Sequence, residues 1–386
     1  MISRVNTLAA HKQFAAAETL ARDAVGRFPS SRNARLLLAN VLLWAGKYTD
    51  ARSHFGQLLQ LDRRDVEARL GMAQSEYWSG DYRRAARDFR EVLRLQPARR
   101  EARQALAEIE AASRPGFRVD GGLLFDDQPY HAAGLTGTFY GFSDPLTKWQ
   151  LDFAEAHRDS GGAEADTPLI RIGAETTVVP MTLRALIARM RFPDARWEWL
   201  PLVSVERRLA AGMLNLTVQR QDLLRTSAAL RNHPTAQTVS LRLSSDSFAV
   251  HAEHLRYFDH NRGNSMDGYL LHPIARIAIG ASAAYRDTAE SRFANSVYDP
   301  YYTPQKLREL RLIVASTLKR GQMTIGLHLD GGVGREKVVG PFHPWNASAN
   351  MAIPLFRGGV LSIAAERSAT AFYTANEIHA SVAGRF

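Results

Sequence analysis

The stretch "NEIHASVAGRF" (376–386) decides how the chain is read. Ile378, Ala380, Val382, Gly384 and Phe386 fall on one face of an extended strand; Glu377, His379, Ser381 and Arg385 fall on the other. Side chains alternate across a strand with a period of two, so this pattern describes a half-buried strand. A polar tail would fray instead. The reading expects residue 386 to be held in a sheet.

The same alternation recurs upstream. "LIRIGAETTV" (169–178) sets Ile170, Ile172 and Ala174 against Arg171, Gly173 and Glu175. "MTIGLHLDG" (323–331) sets Met323, Ile325, Leu327 and Leu329 against Thr324, Gly326, His328 and Asp330. "KWQLDFA" (148–154), "LNLTVQRQ" (214–221), "VSLRLSS" (239–245) and "ASANMAIPL" (347–355) behave alike. About sixteen such segments can be drawn after residue 116, and fourteen would also fit; most approach the roughly 9–11 residues that cross a bilayer as tilted strands.

The connections carry more information than the strands. Every second one is tight: "FSDPL" (142–146), Val179–Pro180, Ala211–Gly212, "SSDS" (244–247), "PIA" (273–275), "KRG" (319–321) and "RGG" (357–359). Those between are equal or longer, notably 157–167, 223–235, 258–265, 287–305 and 335–344. Short turns alternating with long loops is the pattern of an outer-membrane barrel. With an even strand number, Phe386 returns to the side on which the first strand began. A soluble sandwich or propeller shows the same period. The membrane reading is favoured by similar strand lengths, by charges of both signs on the polar face, and by loops segregated by length.

The first third has a different period. Offset by 34 residues, "LLLANVLLWAGKYTDARSHFGQLLQLD" lies over "ARLGMAQSEYWSGDYRRAARDFREVLRLQP". Gly46 meets Gly80, Tyr48 meets Tyr82, Ala51 meets Ala85 and Phe55 meets Phe89, with Phe14, Ala17 and Ala21 in the preceding period. Small residues permit close helix approach and aromatics fill the groove to the next hairpin, so these columns resemble the tetratricopeptide repeat (TPR). The expected organisation is a TPR α-solenoid over 1–112, ending in a capping helix at 98–112, a linker at 113–117, and a transmembrane antiparallel β-barrel over 118–386. Such arrays are binding scaffolds. Repeat one is expected to lack most of its first helix.

Composition bounds the chemistry. With 45% hydrophobic residues the chain is not disordered, and without cysteine it has no disulfides, thiolate metal sites or cysteine nucleophiles. Of the net charge of +10, most sits in the first 115 residues, which hold 20 Lys+Arg against 13 Asp+Glu. An arginine-rich solvated helix surface accounts for this more simply than an anionic partner. No run reaches the 18 apolar residues of a transmembrane helix, and the first residues show no signal-peptide core. Enzyme readings are poor. "HAEH" (251–254) lies on a strand, where HExxH needs a helix. His328 and Asp330 are a chance pair, and no nucleophile elbow or phosphate loop is present. No catalytic residue, cofactor or metal is expected.

TPR repeats, a barrel of about 270 residues and a terminal phenylalanine together resemble the bacterial exopolysaccharide export porins. The outer-membrane component of cellulose synthase and the poly-N-acetylglucosamine export porin are examples, and YaiO-like outer-membrane proteins are similar. The Tyr-x-Pro-Gln stretch at Tyr302, Pro304 and Gln305 matches one that opens a late strand in that class. The short array fits a YaiO-like protein better. The resemblance implies a channel or secretin-like porin that passes exopolysaccharide, a periplasmic protein bound by the repeats, and Phe386 as the signal read by the barrel-assembly machinery. It also implies an outer-membrane barrel with a periplasmic N-terminal domain. The alternative is a non-conducting anchor or receptor.

If the apolar face meets lipid, the inner face carries Asp120, Asp152, Arg171, Glu175, Glu198, Glu206, Arg208, Arg242, Glu253, Arg311, Asp330 and Glu377. Carboxylates and guanidinium groups match sugar hydroxyls, and equally they can pair with one another across strands. Tyr298, Tyr301 and Tyr302 are candidate sugar contacts in the loops. Tyr257 and Tyr285 are read as interfacial girdle, and 287–305 as the best candidate for a plug or lid.

Overall fold

The computed structural model describes all residues except 1, 128, 295, 296, 299 and 357, and leaves the side chains of 294, 297 and 298 undescribed. The chain divides into two compact units, one holding residues 1–114 with 142–147 and the other 115–141 with 148–386.

The first unit contains seven helices: α1 (Ile2–Ala10), α2 (Phe14–Arg27), α3 (Arg32–Trp44), α4 (Tyr48–Leu61), α5 (Val66–Trp78), α6 (Tyr82–Leu95) and α7 (Arg100–Ala112). The 34-residue period is visible in the caps. Ser31 accepts a hydrogen bond from the Ala34 N–H, and Asp65 accepts one from Ala68, each satisfying an orphan donor of the first turn. Asp65 also takes both Nε and Nη2 of Arg32 at 2.7 Å, tying successive repeats together. Gly46 and Gly80 sit at φ +76° and +86°, a region that costs other residues energy and lets the chain reverse between paired helices. Phe55 and Phe89 are buried in the two apolar clusters of this unit. Glu76 on α5 is buried beside Asp88 on α6, and one of its carboxylate oxygens has no hydrogen-bond partner. Burial first, and the neighbouring Asp88 carboxylate second, push its pKa up to about 8.

The second unit is a closed sheet of sixteen antiparallel strands, with shorter added strands. In order they are Gly116–Asp126, Tyr130–Asp144, Thr147–Ser160, Leu169–Val178, Met181–Arg191, Trp197–Leu209, Gly212–Asp222, Thr235–Ser244, Phe248–Tyr257, Arg262–Ile274, Ile277–Thr288, Leu307–Arg320, Met323–Glu336, Trp345–Phe356, Gly359–Ala369 and Thr374–Arg385. Each pairs with its sequence neighbours, and the first pairs with the last from Gly116↔Arg385 to Asp126↔Ala375. Closure removes the sheet edges. The Phe386 N–H donates to the Pro115 carbonyl at 3.0 Å, and its ring lies 5.8 Å from that of Phe117. The sixteen-strand count resolves the choice left open with fourteen.

Three sequence expectations need correcting. Sheet pairing begins at Gly116, so the linker is shorter than 113–117. The segment read as loop 157–167 is partly strand: Ala163–Asp166 pairs back onto His157–Ser160. Gly340–Phe342 pairs with Gly334–Glu336, within a segment read as loop. Strands of up to 15 residues exceed what a bilayer needs, and these additions lie at the long-loop end.

Seven connections at one end of the barrel are two or three residues long. The connections at the other end hold the long loops. Along each strand one face is apolar and exposed, as at Leu135, Leu270, Leu310 and Leu312. The opposite face is concave. A cavity of about 550 Å³ is lined by Asp120, Thr136, Asn350, Ser362, His379 and Ser381, which come from five neighbouring strands and share the polar face. An exposed apolar band of this extent requires apolar surroundings.

Candidate functional site

The inner face carries polar and charge contacts both across neighbouring strands and between residues two apart on one strand. Arg171 Nε donates to Asp152 Oδ2 at 2.5 Å, and Asp152 is 0% exposed. Arg184 is directly opposite Glu175 and bonded to it. Arg311 donates to Asp330 Oδ1 at 2.9 Å and to Glu309 Oε2 at 2.7 Å, and His328 Nε2 lies 2.9 Å from Asp330. Arg118 binds Asp120, His251 lies 3.2 Å from Asp267, and Glu198 pairs with Arg220 at 3.2 Å. Ser265 Oγ donates to Glu253 at 3.4 Å, and Glu377 lies 3.3 Å from the His379 ring. Glu206, Arg208 and Arg242 form no ion pair among the described residues and sit near the short-turn end. Alternation thus puts all twelve residues on one face, and the register brings nine of them into specific contacts.

The long-loop end is filled by folded loops. A short helix, α8 (Ser227–Asn232), is capped by the Thr226 hydroxyl. Leu224 and Leu230 share an apolar cluster with Ala188, Met190 and Leu200, which alternation places on the inner face. The Tyr130 hydroxyl donates to the Leu224 carbonyl at 3.1 Å. This loop therefore folds inward across the mouth. It meets the second long loop where Thr226 Oγ1 donates to the Pro300 carbonyl at 3.1 Å.

The second loop shares a polar centre with the connection 258–261. Asp259 accepts from the Tyr301 hydroxyl at 2.8 Å and from Arg292 Nη2 at 2.7 Å, while Asn261 Nδ2 donates to the Glu290 carbonyl at 2.9 Å. Burial works against ionisation of Asp259, but the bonds from Tyr301 and Arg292 outweigh it and hold its pKa below the usual range. Tyr301 is raised to about 12, by burial and then by its bond to Asp259. The Pro304–Gln305 stretch stitches the ends together. Thr288 donates through N–H and hydroxyl to the Pro304 carbonyl at 2.9 Å. Gln305 donates its side-chain amide to the Thr288 carbonyl at 2.7 Å and its N–H to the buried Glu336 at 2.6 Å.

These contacts overturn two aromatic assignments. Tyr301 is 3% exposed, stacked on Tyr257 with centroids 4.2 Å apart and set edge-on to Phe258. It has no face left for a sugar ring. Tyr257 belongs to the inner wall and not to a lipid-facing girdle, because it shares strand parity with His251 and Glu253. Tyr302 is half-buried against Phe372. Tyr298 lies in the ribbon Phe293–Ala294 with Val297–Tyr298, and its side chain lies outside the described residues. Tyr285 faces outward, as a girdle residue would. Sequence reasoning missed the inward fold of 223–234 and the Asp259–Arg292–Tyr301 centre. A helix of six residues is too short to show a period, although Thr226 is a recognisable cap.

Tetratricopeptide-repeat family models match residues 8–74 and 70–114. Among solved structures, a bacterial polysaccharide outer membrane secretin matches with a TM-score of 0.57 at 14% identity, over 71% of this chain and 99% of that one. A BenF-like porin from Pseudomonas fluorescens matches with a TM-score of 0.39 at 8% identity, over 71% of this chain and 98% of the porin. The Arabidopsis OM64 TPR domain matches with a TM-score of 0.26 at 22% identity, over 28% of this chain and 88% of that domain. Among curated proteins, none matches this sequence. The likeness to the secretin is one of fold.

Proposed function

We propose that this chain, a tetratricopeptide-repeat-plus-barrel protein, is an outer-membrane channel for bacterial exopolysaccharide, with its repeats as a periplasmic scaffold for a partner protein. The observation that carries the reading is the inner face. It offers carboxylates, guanidinium groups, hydroxyls and amides from strand to strand, with neither sign of charge dominant. Such a wall exchanges hydrogen bonds with sugar hydroxyls without gripping a polymer of one charge. The barrel's likeness to a polysaccharide secretin supports the same reading. Short turns face the periplasm in outer-membrane barrels, and both ends of the barrel sequence are at the short-turn end. Phe386, bonded to Pro115 at that rim, is the residue assembly machinery would read. No catalytic step is part of this function.

The folded loops set the condition for transport: 223–234 and 287–305 must move aside for a polymer to leave. Single-channel recording in planar bilayers tests this. The full-length protein should conduct weakly, and replacing 224–233 and 289–303 with short Gly-Ser links should give large, stable steps. No conductance from either form would remove the channel reading. It would leave the second one, a closed anchor or receptor, which the apolar packing of Leu224 and Leu230 into the mouth favours.

A further inference from the structure

The outward face of the barrel carries arginines that the channel reading does not use. On the ninth and tenth strands, Arg256 is directly opposite Arg262; on the twelfth and thirteenth, Arg308 is directly opposite Arg335. Alternation puts all four on the face of Val250, Met266, Leu310 and Val333, which are exposed apolar residues. All four arginines are exposed, and none makes an ion pair among the described residues. They stand at the long-loop end, one or two outward positions beyond the apolar band. Farther round the ring, Arg189 lies 5.4 Å from the rings of both Trp197 and Trp199 at the same end. Asp287, an outward carboxylate on the intervening strand, accepts from the Tyr285 hydroxyl and the Lys306 N–H and makes no ion pair among the described residues.

Like charges directly opposite in a sheet, with Cβ atoms about 5 Å apart, are destabilising. Two such pairs on one face are places where a bridging anion would relieve the repulsion. Guanidinium groups bind phosphate in a bidentate manner, and these sit where an apolar surface gives way to water. We propose that the Arg256–Arg262 and Arg308–Arg335 pairs bind the phosphate groups of lipid headgroups in the outer leaflet. Each pair clamps one phosphate while the adjoining apolar residues meet the acyl chains. The inference rests on the barrel spanning a membrane, and it is independent of what passes through the lumen.

The test uses full-length protein in nanodiscs of phosphatidylcholine, with and without lipid A, a doubly phosphorylated glycolipid. The protein is then extracted into dodecylmaltoside and analysed by native mass spectrometry. Wild type should carry bound lipid A, with millimolar inorganic phosphate failing to displace it. The Arg256→Ser/Arg262→Ser/Arg308→Ser/Arg335→Ser variant should retain it at least about tenfold less, since the attraction of each basic residue for an anionic surface is summed over four. Heat-modifiable migration on a gel reports whether each barrel is folded and membrane-inserted. If that signal is absent from wild type, the membrane reading fails and this inference with it. A folded variant that retains lipid A as well as wild type overturns the inference alone, as does displacement by inorganic phosphate. If the four-fold variant does not fold, the Arg308→Lys/Arg335→Lys variant keeps the charge but loses the bidentate fork. It should retain less lipid A, and equal retention would also overturn the clamp.

Discussion

The two faces of the barrel wall use arginine in opposite ways. Inside, Arg171 meets Asp152, Arg184 meets Glu175, and Arg311 meets both Glu309 and Asp330. Outside, Arg256 faces Arg262 and Arg308 faces Arg335. The residues are interleaved on one sheet; on the twelfth strand Arg308 and Arg311 are three positions apart. Where an inner charge is deeply buried, as Asp152 is, leaving it unpaired would be costly, and a partner is supplied from the same or the next strand; Glu206, Arg208 and Arg242, nearer the short-turn end, have none among the described residues. The outer groups face surroundings that can supply counter-charge themselves. Pairing thus follows what the surroundings can provide.

The largest effect should come from breaking an inner pair. Arg171→Leu leaves the Asp152 carboxylate, 0% exposed, without its cation. Removing one partner of a fully buried pair costs about 3–5 kcal/mol; Arg171 is 37% exposed and Gln150 Nε2 also donates to Asp152, so the loss should come to about 3 kcal/mol at most. Guanidinium unfolding in detergent, followed by barrel fluorescence or by gel migration, should shift accordingly. Adding Asp152→Leu to the same chain should restore most of the loss, because a matched apolar pair is tolerated. If the single variant is as stable as wild type, the inner charges are solvated like surface charges and the contrast between the faces collapses.

A charge enclosed by protein alone sharpens the contrast further. Glu76 has neither a full set of partners nor a solvent, and its folded-state pKa of about 8 lies above the ordinary 4.5. The folded state therefore holds a proton that the unfolded chain releases between those values. The stability it contributes is fully present below pH 4.5 and is lost as pH rises through about 8. The helical transition, followed by circular dichroism at a wavelength where helices dominate, should soften between pH 5 and pH 8.5. Glu76→Gln keeps the shape without the charge, so it should flatten that dependence and raise stability at pH 8 by about 1–3 kcal/mol. Unchanged pH dependence in the variant would show that another group governs it.

Much of this was legible in the sequence, because period two and the alternation of turn lengths survive without knowledge of register. The charges named from alternation share one face of the sheet by register. Their partners were not legible. Asp152 and Arg171 meet only because the hairpin between them extends through Ala163–Asp166, which sets the stagger of their strands. The outer mouth was less legible still. Apolar loop residues such as Leu224 and Leu230 look the same whether they fold inward or pack over the rim, and only the positions of Met190 and Leu200 decide it. Tyr257 could have been placed by parity, since it is an even number of residues from Glu253. A rim aromatic is the usual girdle residue, and that expectation outweighed the count.

The smallest effect concerns the outer pairs in the absence of lipid phosphate. In a nonionic detergent such as dodecylmaltoside nothing bridges Arg308 and Arg335, so their repulsion is a net cost of the like-charge pairs that cross-strand scales place at roughly 0.2–1 kcal/mol. Arg308→Gln and Arg335→Gln should each stabilise the barrel by that order, and the double variant should gain little more than either single one. A double-mutant cycle on this pair would then have the opposite sign from the cycle on Arg171 and Asp152. Adding lipid A to the wild type should erase the gain, since the bridged pair no longer repels. If both cycles had the same sign, the outward arginines would already be neutralised within the protein, and the difference between the two faces would lie in composition rather than in surroundings.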